Sequence, residues 1–130
     1  AQVGRTIYRP ESFPVVSSLS PEQYYETFAA ADVVVSHAGM GTIISALERN
    51  KPLVLMPRLA ALNEHRNDHQ VGTAAHFRKY DLIRVAETDR ELRDQLDEAL
   101  RNLPNMPSEP PEIQVSPNLI ATLQNFASQV

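Results

Sequence analysis

The chain has no cysteine among its 130 residues, so disulfide cross-links and thiolate chemistry are excluded. It has no basic run. Twelve Lys and Arg are scattered among sixteen Asp and Glu, for a net charge of −4. That balance argues against nucleic acid as a partner, because phosphate backbones are held by clustered positive charge. No apolar stretch approaches the roughly 18 residues that a bilayer-crossing helix needs. No direct membrane span is therefore expected, and the expected location is cytoplasmic. There is no internal repeat and no signal-peptide pattern at the start. The first residue is not Met, and the expectation is a fragment or the trimmed form of a longer chain. What is present is a length suited to one domain and a hydrophobic content of 42%, enough for a real core.

Along the chain, residues 1–8 alternate loosely and suggest a short strand (Val3, Ile7), and residues 13–16 a second. Ser20-Pro21-Glu22-Gln23 is a helix start, with a capping Ser, a Pro suited to the first turn and a Gln that completes a capping box. Tyr24, Phe28 and Ala31 then share a face. Val33-Val34-Val35-Ser36 is an unbroken β-branched run, as in a strand buried on both faces of a parallel sheet. A helix through Ile43, Ile44, Leu47 and Glu48 follows, and Asn50-Lys51-Pro52 stops it. Residues 53–56 form a second buried strand. A polar helix is expected over about 63–80, with Gly72 as a weak point, and a third strand over 82–85. Thr88-Asp89-Arg90-Glu91 is another capping box, opening a helix whose Leu92, Leu96 and Leu100 are assigned to the core, with Glu91, Asp94 and Glu98 on a solvated face. The alternation implies an α/β fold, a Rossmann-like, mostly parallel sheet flanked by helices. The domain is placed over 1–103, a Pro-rich linker over 104–115 and a last helix over 116–130.

Ligands of such sheets bind at the carboxyl ends of the strands. The turn His37-Ala38-Gly39-Met40-Gly41-Thr42 lies at one of them. The first N–H groups of a helix lack intrahelical partners, and the helix dipole adds partial positive charge there. Gly39 and Gly41 let a phosphate approach the backbone. Thr42 can cap a helix beginning near it or donate to a phosphate oxygen, and His37 can donate one ring N–H. The alternative is a tight strand-to-helix connection with no ligand. The dinucleotide fingerprint does not fit, since its third glycine and the acidic end of the next strand are missing, and a Walker Gly-Lys-Ser/Thr is absent.

Residues 31–39 (Ala-Asp-Val-Val-Val-Ser-His-Ala-Gly), followed by Gly41-Thr42, Lys51-Pro52-Leu53, Pro57-Arg58 and Asn67-Asp68-His69-Gln70, resemble the C-terminal domain of family 28 glycosyltransferases. The likeness is closest to the soluble subunit of two-component UDP-sugar transferases, which act on dolichol-linked oligosaccharide or in bacterial exopolysaccharide and capsule synthesis. The resemblance implies the C-terminal, donor-binding half of a GT-B fold. By it, His37, Gly39, Met40, Gly41 and Thr42 hold the donor diphosphate, and Asn67, Asp68 and Gln70 lie near the donor sugar. Relatives place a Glu on the ribose where this chain has Ser45; Ser45, or Glu48 on a neighbouring face, is left to take that role. The family's first strand, ending in Val-Gly-Thr, has no counterpart here. The implied function is inverting transfer of a hexose from a UDP-sugar to a lipid-linked acceptor. A membrane-associated partner would supply the acceptor half and recruit the chain to the inner membrane face, and the isolated chain is expected to be inactive. No cofactor is implied, and no catalytic base is identifiable. The alternatives are a non-catalytic nucleotide-sugar-binding or regulatory module, and a generic nucleotide-binding domain.

Other residues carry weaker signals. Glu64, His65 and His69 crowd one stretch, with the two histidines at i, i+4. The order lacks the Glu between them that a zincin requires, and no metal site is expected. Arg58 pairs either with a phosphate or with Glu64. His76 is placed at the surface, and Tyr24 and Tyr25 in the core or an interface. The last helix either folds back on the domain or docks on the partner.

Overall fold

The structure, a computed structural model, describes residues 1–59, 62 and 69–112. Its elements run α1 (Pro21–Ala30), β1 (Val34–Ser36), α2 (Met40–Glu48), β2 (Leu53–Leu55), α3 (His69–Phe77), β3 (Ile83–Val85) and α4 (Asp89–Asn102), followed by a 3-10 turn over Leu103–Asn105. The three strands form one parallel sheet in the order β1-β2-β3, with Val34 opposite Leu53 and Leu53 opposite Ile83. This is the Rossmann-like α/β arrangement that the alternating pattern implies.

Because side chains alternate across a strand, this register sorts the sheet into two faces. Leu53, Leu55 and Ile83 face a core of Phe28, Ile43, Leu47, Ala74 and Phe77 contributed by α1, α2 and α3. Val54 points the other way and is equally buried. On that second face α4 packs on β2 and β3. Arg84, next to Val54 in register, ties the helix down through Glu98 at 3.0 Å. Val35 shares this face at the β1 edge and is 46% exposed, so β1 is not buried on both faces as its β-branched run implied: among the described residues no strand covers its outer side.

Local chemistry accounts for the helix ends. The Ser20–Gln23 capping box closes in both directions. Thr88 caps α4 by accepting from the Glu91 N–H, but the Glu91 carboxylate bonds the N–H of Glu87 at 2.8 Å, one residue earlier than a capping box would place it. Asn50 sits at φ 52, the left-handed conformation that ends α2. Its neighbour Lys51 donates from Nζ to the carbonyls of Ala29 and Ala31 at 2.7 and 2.6 Å. Lys51 therefore caps the C-terminus of α1, where a cation also meets the negative end of the helix dipole.

Further expectations are corrected. The two N-terminal strands reduce to a single parallel bridge between Gln2 and Val16. Ile7 and Phe13 are exposed, so no sheet face is available for their side chains to pack on. Helix α2 begins at Met40 with Gly39 as N-cap, rather than near Thr42. Helix α3 ends at Phe77 rather than Tyr80, runs without a break through Gly72, and meets a turn in which Ile83 N–H bonds the Tyr80 carbonyl. On α4 the buried residue is Ala99, while Leu100 is 46% exposed, so the apolar stripe is rotated away from Leu100. The Pro-rich segment is anchored at its start, where Met106 packs on the core and Asn50 Nδ2 donates to the Pro107 carbonyl. The expected last helix lies outside the described residues. Among the described residues no helix is long and apolar enough to cross a membrane.

Candidate functional site

Parallel strands bring their carboxyl ends to one edge. The ladder there closes with Met56 N–H on the Ser36 carbonyl and Ala86 N–H on the Leu55 carbonyl, both near 2.9 Å or shorter. His37, Met56 and Ala86 therefore leave the sheet side by side. From β1 the chain turns through buried Ala38 into α2, with the Gly39 N–H on the His37 carbonyl at 2.8 Å. Gly39, as N-cap, offers no side-chain hydrogen bond to the first turn, and that turn contains no acidic residue. The N–H groups of Met40, Gly41 and Thr42 are those that a helix leaves without intrahelical partners. The mouth of α2 is thus a positive pole whose own first turn carries no acidic side chain to offset it.

The two glycines do different things. A Cβ on Gly39 would lie 2.8 Å from Cε1 of His37, so glycine is needed there for the imidazole to rest against the N-cap. A Cβ on Gly41 would meet nothing within 4 Å, and its φ is not positive. Among the described residues no protein contact or backbone conformation explains glycine at 41. The open space in front of it is what a close-approaching anion needs.

Around this mouth the expected residues fall into two groups. His37, Gly39, Met40, Gly41 and Thr42 come together. The Thr42 hydroxyl does not cap the helix; it lies 3.5 Å from the Tyr24 hydroxyl. Tyr24 itself packs on the core and against Phe28. A cleft of about 560 Å³, lined in part by Tyr24, Val35, Ser36, His37 and Thr42, opens beside the mouth; ligand sites commonly measure about 300–1,000 Å³. Ser45 follows Thr42 by one helical turn and is half-buried. Glu48 is exposed at the far end of α2 with Arg49 at 3.7 Å, a pairing that leaves it well away from the helix mouth. Asn67 and Asp68 lie outside the described residues, as do Glu64 and His65. Among the described residues no group of three His, Cys, Asp or Glu could hold a metal ion. His76 is exposed, its ring edge-on to Phe77. Arg58 is exposed and reaches the site through its backbone.

Gln70 stands apart. It lies in the first turn of α3, is only 8% exposed, and bonds protein at both ends of its amide. Oε1 accepts from the Arg58 N–H at 2.9 Å and Nε2 lies 3.1 Å from His37 Nδ1. This joins the ends of β1 and β2 behind the helix mouth. Sequence reasoning missed the link, because nothing local pairs His37 with a residue 33 positions away. The usable signal was that His37 and Arg58, the two residues Gln70 joins, follow neighbouring strands.

With that geometry in view, the comparisons are specific. The family model described as the glycosyltransferase family 28 C-terminal domain matches residues 16–126, most of the chain. The chain belongs to this family. Over 84 residues it is 37% identical to the UDP-N-acetylglucosamine transferase subunit ALG13 of Homo sapiens, covering 60% of this chain and 7% of that protein. Over 69 residues it is 38% identical to the Mus musculus subunit of the same name, covering 49% of this chain and 6% of that protein. The matched part thus spans less than a tenth of these relatives' length. No solved structure matches. The family 28 match covers the whole of the β1–α2 turn and the strand edge beside it.

Proposed function

We propose that this chain is the donor-binding part of an inverting glycosyltransferase that takes its sugar from UDP-N-acetylglucosamine. The observation that carries the reading is the uncapped mouth of α2, with open space before Gly41 and His37 resting on Gly39. Membership of family 28 and the names of its relatives supply the uridine diphosphate and the N-acetylglucosamine.

In this reading the diphosphate sits on the N–H groups of Met40, Gly41 and Thr42, with His37 donating from the side. The acceptor hydroxyl displaces the diphosphate at the anomeric carbon in one step, with inversion. Negative charge grows on the leaving diphosphate as the bond breaks. Fixed dipoles already aimed at that position stabilise it without reorganisation. Ser45 faces the ribose, one turn further along α2, and Asn67 and Asp68 face the donor sugar. The base that accepts the acceptor's proton comes from a separate acceptor-binding half. A membrane-associated partner subunit supplies that half and a lipid-linked acceptor, and holds this cytoplasmic chain at the membrane face.

Titration with uridine diphosphate tests the reading. Heat or amide shifts should report saturable binding, lost in Gly41→Val. No binding at millimolar ligand would remove the donor site. Binding without turnover, once an acceptor-binding partner is supplied, would instead favour a non-catalytic nucleotide-sugar-binding module, the reading that Ser45 in the ribose position keeps open.

A further inference from the structure

We infer that Tyr24 is a positioning residue for the helix mouth: its phenol donates to Thr42 Oγ1 and so turns the Thr42 proton toward the diphosphate. This rests on the diphosphate site proposed above and brings into it α1, an element with no other role there.

The geometry begins with Thr42. It is the third residue of α2, after the N-cap Gly39, and helical side chains tilt toward the N-terminus of their helix. Its side chain therefore lies along the first turn, beside the N–H groups of Met40 and Gly41. A helical Thr commonly spends its hydroxyl on the carbonyl one turn back. Thr73 on α3 does so, on the His69 carbonyl at 3.0 Å. Thr42 turns instead to the Tyr24 hydroxyl, 3.5 Å away, and both residues line the cleft beside the mouth. Among the described residues neither hydroxyl has a further hydrogen-bond partner. Tyr24 is held where it is. Its ring is tilted on buried Phe28 with centroids 5.6 Å apart, and edge-on to Tyr25 at 5.6 Å. Its backbone N–H bonds the Ser20 carbonyl at 2.9 Å, within the capping box that fixes the start of α1.

Counting protons sets the direction of the pair. Each hydroxyl has one proton, and only one proton can lie between the two oxygens. A deprotonated phosphate oxygen only accepts. With the diphosphate on α2, Thr42 gives its proton to the anion and a lone pair to the phenol, so Tyr24 is the donor. A phenol is the stronger donor of the two, and hydroxyls that all point one way strengthen each other. The separation of 3.5 Å is long for O–H···O; bonds of this kind tighten once a ligand engages the protons.

Calorimetric titration of the 130-residue chain with uridine diphosphate closes a double-mutant cycle on the pair. Tyr24→Phe removes one oxygen and keeps the ring, and affinity should fall about three- to tenfold, the scale of one hydrogen bond. Thr42→Val should cost about tenfold, the scale of a bond to a charged group. Tyr24→Phe added to Thr42→Val should cost nothing more, whereas added to Thr42→Ser, which keeps the hydroxyl, it should cost what it does in the wild type. The Tyr24 Cζ resonance should shift on saturation with uridine diphosphate in the wild type and stay in place in Thr42→Val. A Tyr24 that only packs would leave affinity unchanged in Tyr24→Phe, or lower it equally with and without the Thr42 hydroxyl. Either result, or a wild-type Cζ resonance indifferent to bound ligand, would overturn the inference, and that resonance decides alone if a variant does not fold. Wild-type protein that does not bind uridine diphosphate would remove the donor site itself. Binding at full affinity in Tyr24→Phe would remove this inference and leave the donor site standing.

Discussion

At the scale of single residues, Gly39 and Gly41 are two positions apart and opposed in what limits them. An added methyl at 41 meets empty space in the first turn of a helix. Gly41→Ala should therefore hold or raise stability by about 0.5–1 kcal/mol, the usual gain when a helical glycine becomes alanine. The same substitution should weaken uridine diphosphate binding, because the methyl occupies the approach to the N–H groups. Urea unfolding beside calorimetric titration checks both, and loss of stability together with affinity would assign Gly41 to the fold rather than the site. Gly39→Ala runs the other way. Its Cβ would stand 2.8 Å from the imidazole, so His37 must swing off Gln70. A cost of about 1–3 kcal/mol is expected, with displaced His37 ring resonances in the NMR spectrum.

At the scale of elements, the parts that position the site are held by contacts remote from it. Lys51 bonds two carbonyls at the end of α1 and touches no part of the helix mouth. Lys51→Met should lower stability by about 1–2 kcal/mol, from lost hydrogen bonds and a lost cation at a helix C-terminus. Uridine diphosphate affinity should be unchanged; a parallel loss would place Lys51 in the site. Leu47 is fully buried between α2 and the sheet, and Leu47→Ala should cost about 2–5 kcal/mol in urea unfolding.

Elements with local causes were legible in the sequence. The Val34–Ser36 strand, the Ser20 capping box and the left-handed Asn50 are each set by chemistry within a few residues and stand where the pattern put them, although β1 is an edge with Val35 exposed and not the strand buried on both faces that its β-branched run implied. The N-terminal strand candidates had alternation but, in the structure, no neighbouring strand to pair with beyond Val16. On α4, the four-residue spacing of Leu92, Leu96 and Leu100 found the helix but not its rotation, which Arg84 and Ala99 settle through the sheet. The site divides the same way. The residues of the β1–α2 turn were readable together, because they are contiguous. Gln70's hold on His37 and Arg58 was not, because it exists only once α3 is packed.

At the scale of the whole molecule, the family 28 domain presents one edge of a parallel sheet, where β1 hands the chain to α2 beside the ends of β2 and β3. In the proposed reaction this edge faces an acceptor half that this chain does not supply. Product formation from UDP-N-acetylglucosamine should then appear only when an acceptor-binding partner is added, and turnover by the chain alone would contradict the division of labour. The donor site itself is tested more simply. In an amide-resolved NMR titration with uridine diphosphate, the largest shifts should fall on residues 37–45, and Gly41→Val should abolish them while the rest of the spectrum stays folded. Saturable shifts elsewhere, or none at millimolar ligand, would contradict the placement of the diphosphate on α2.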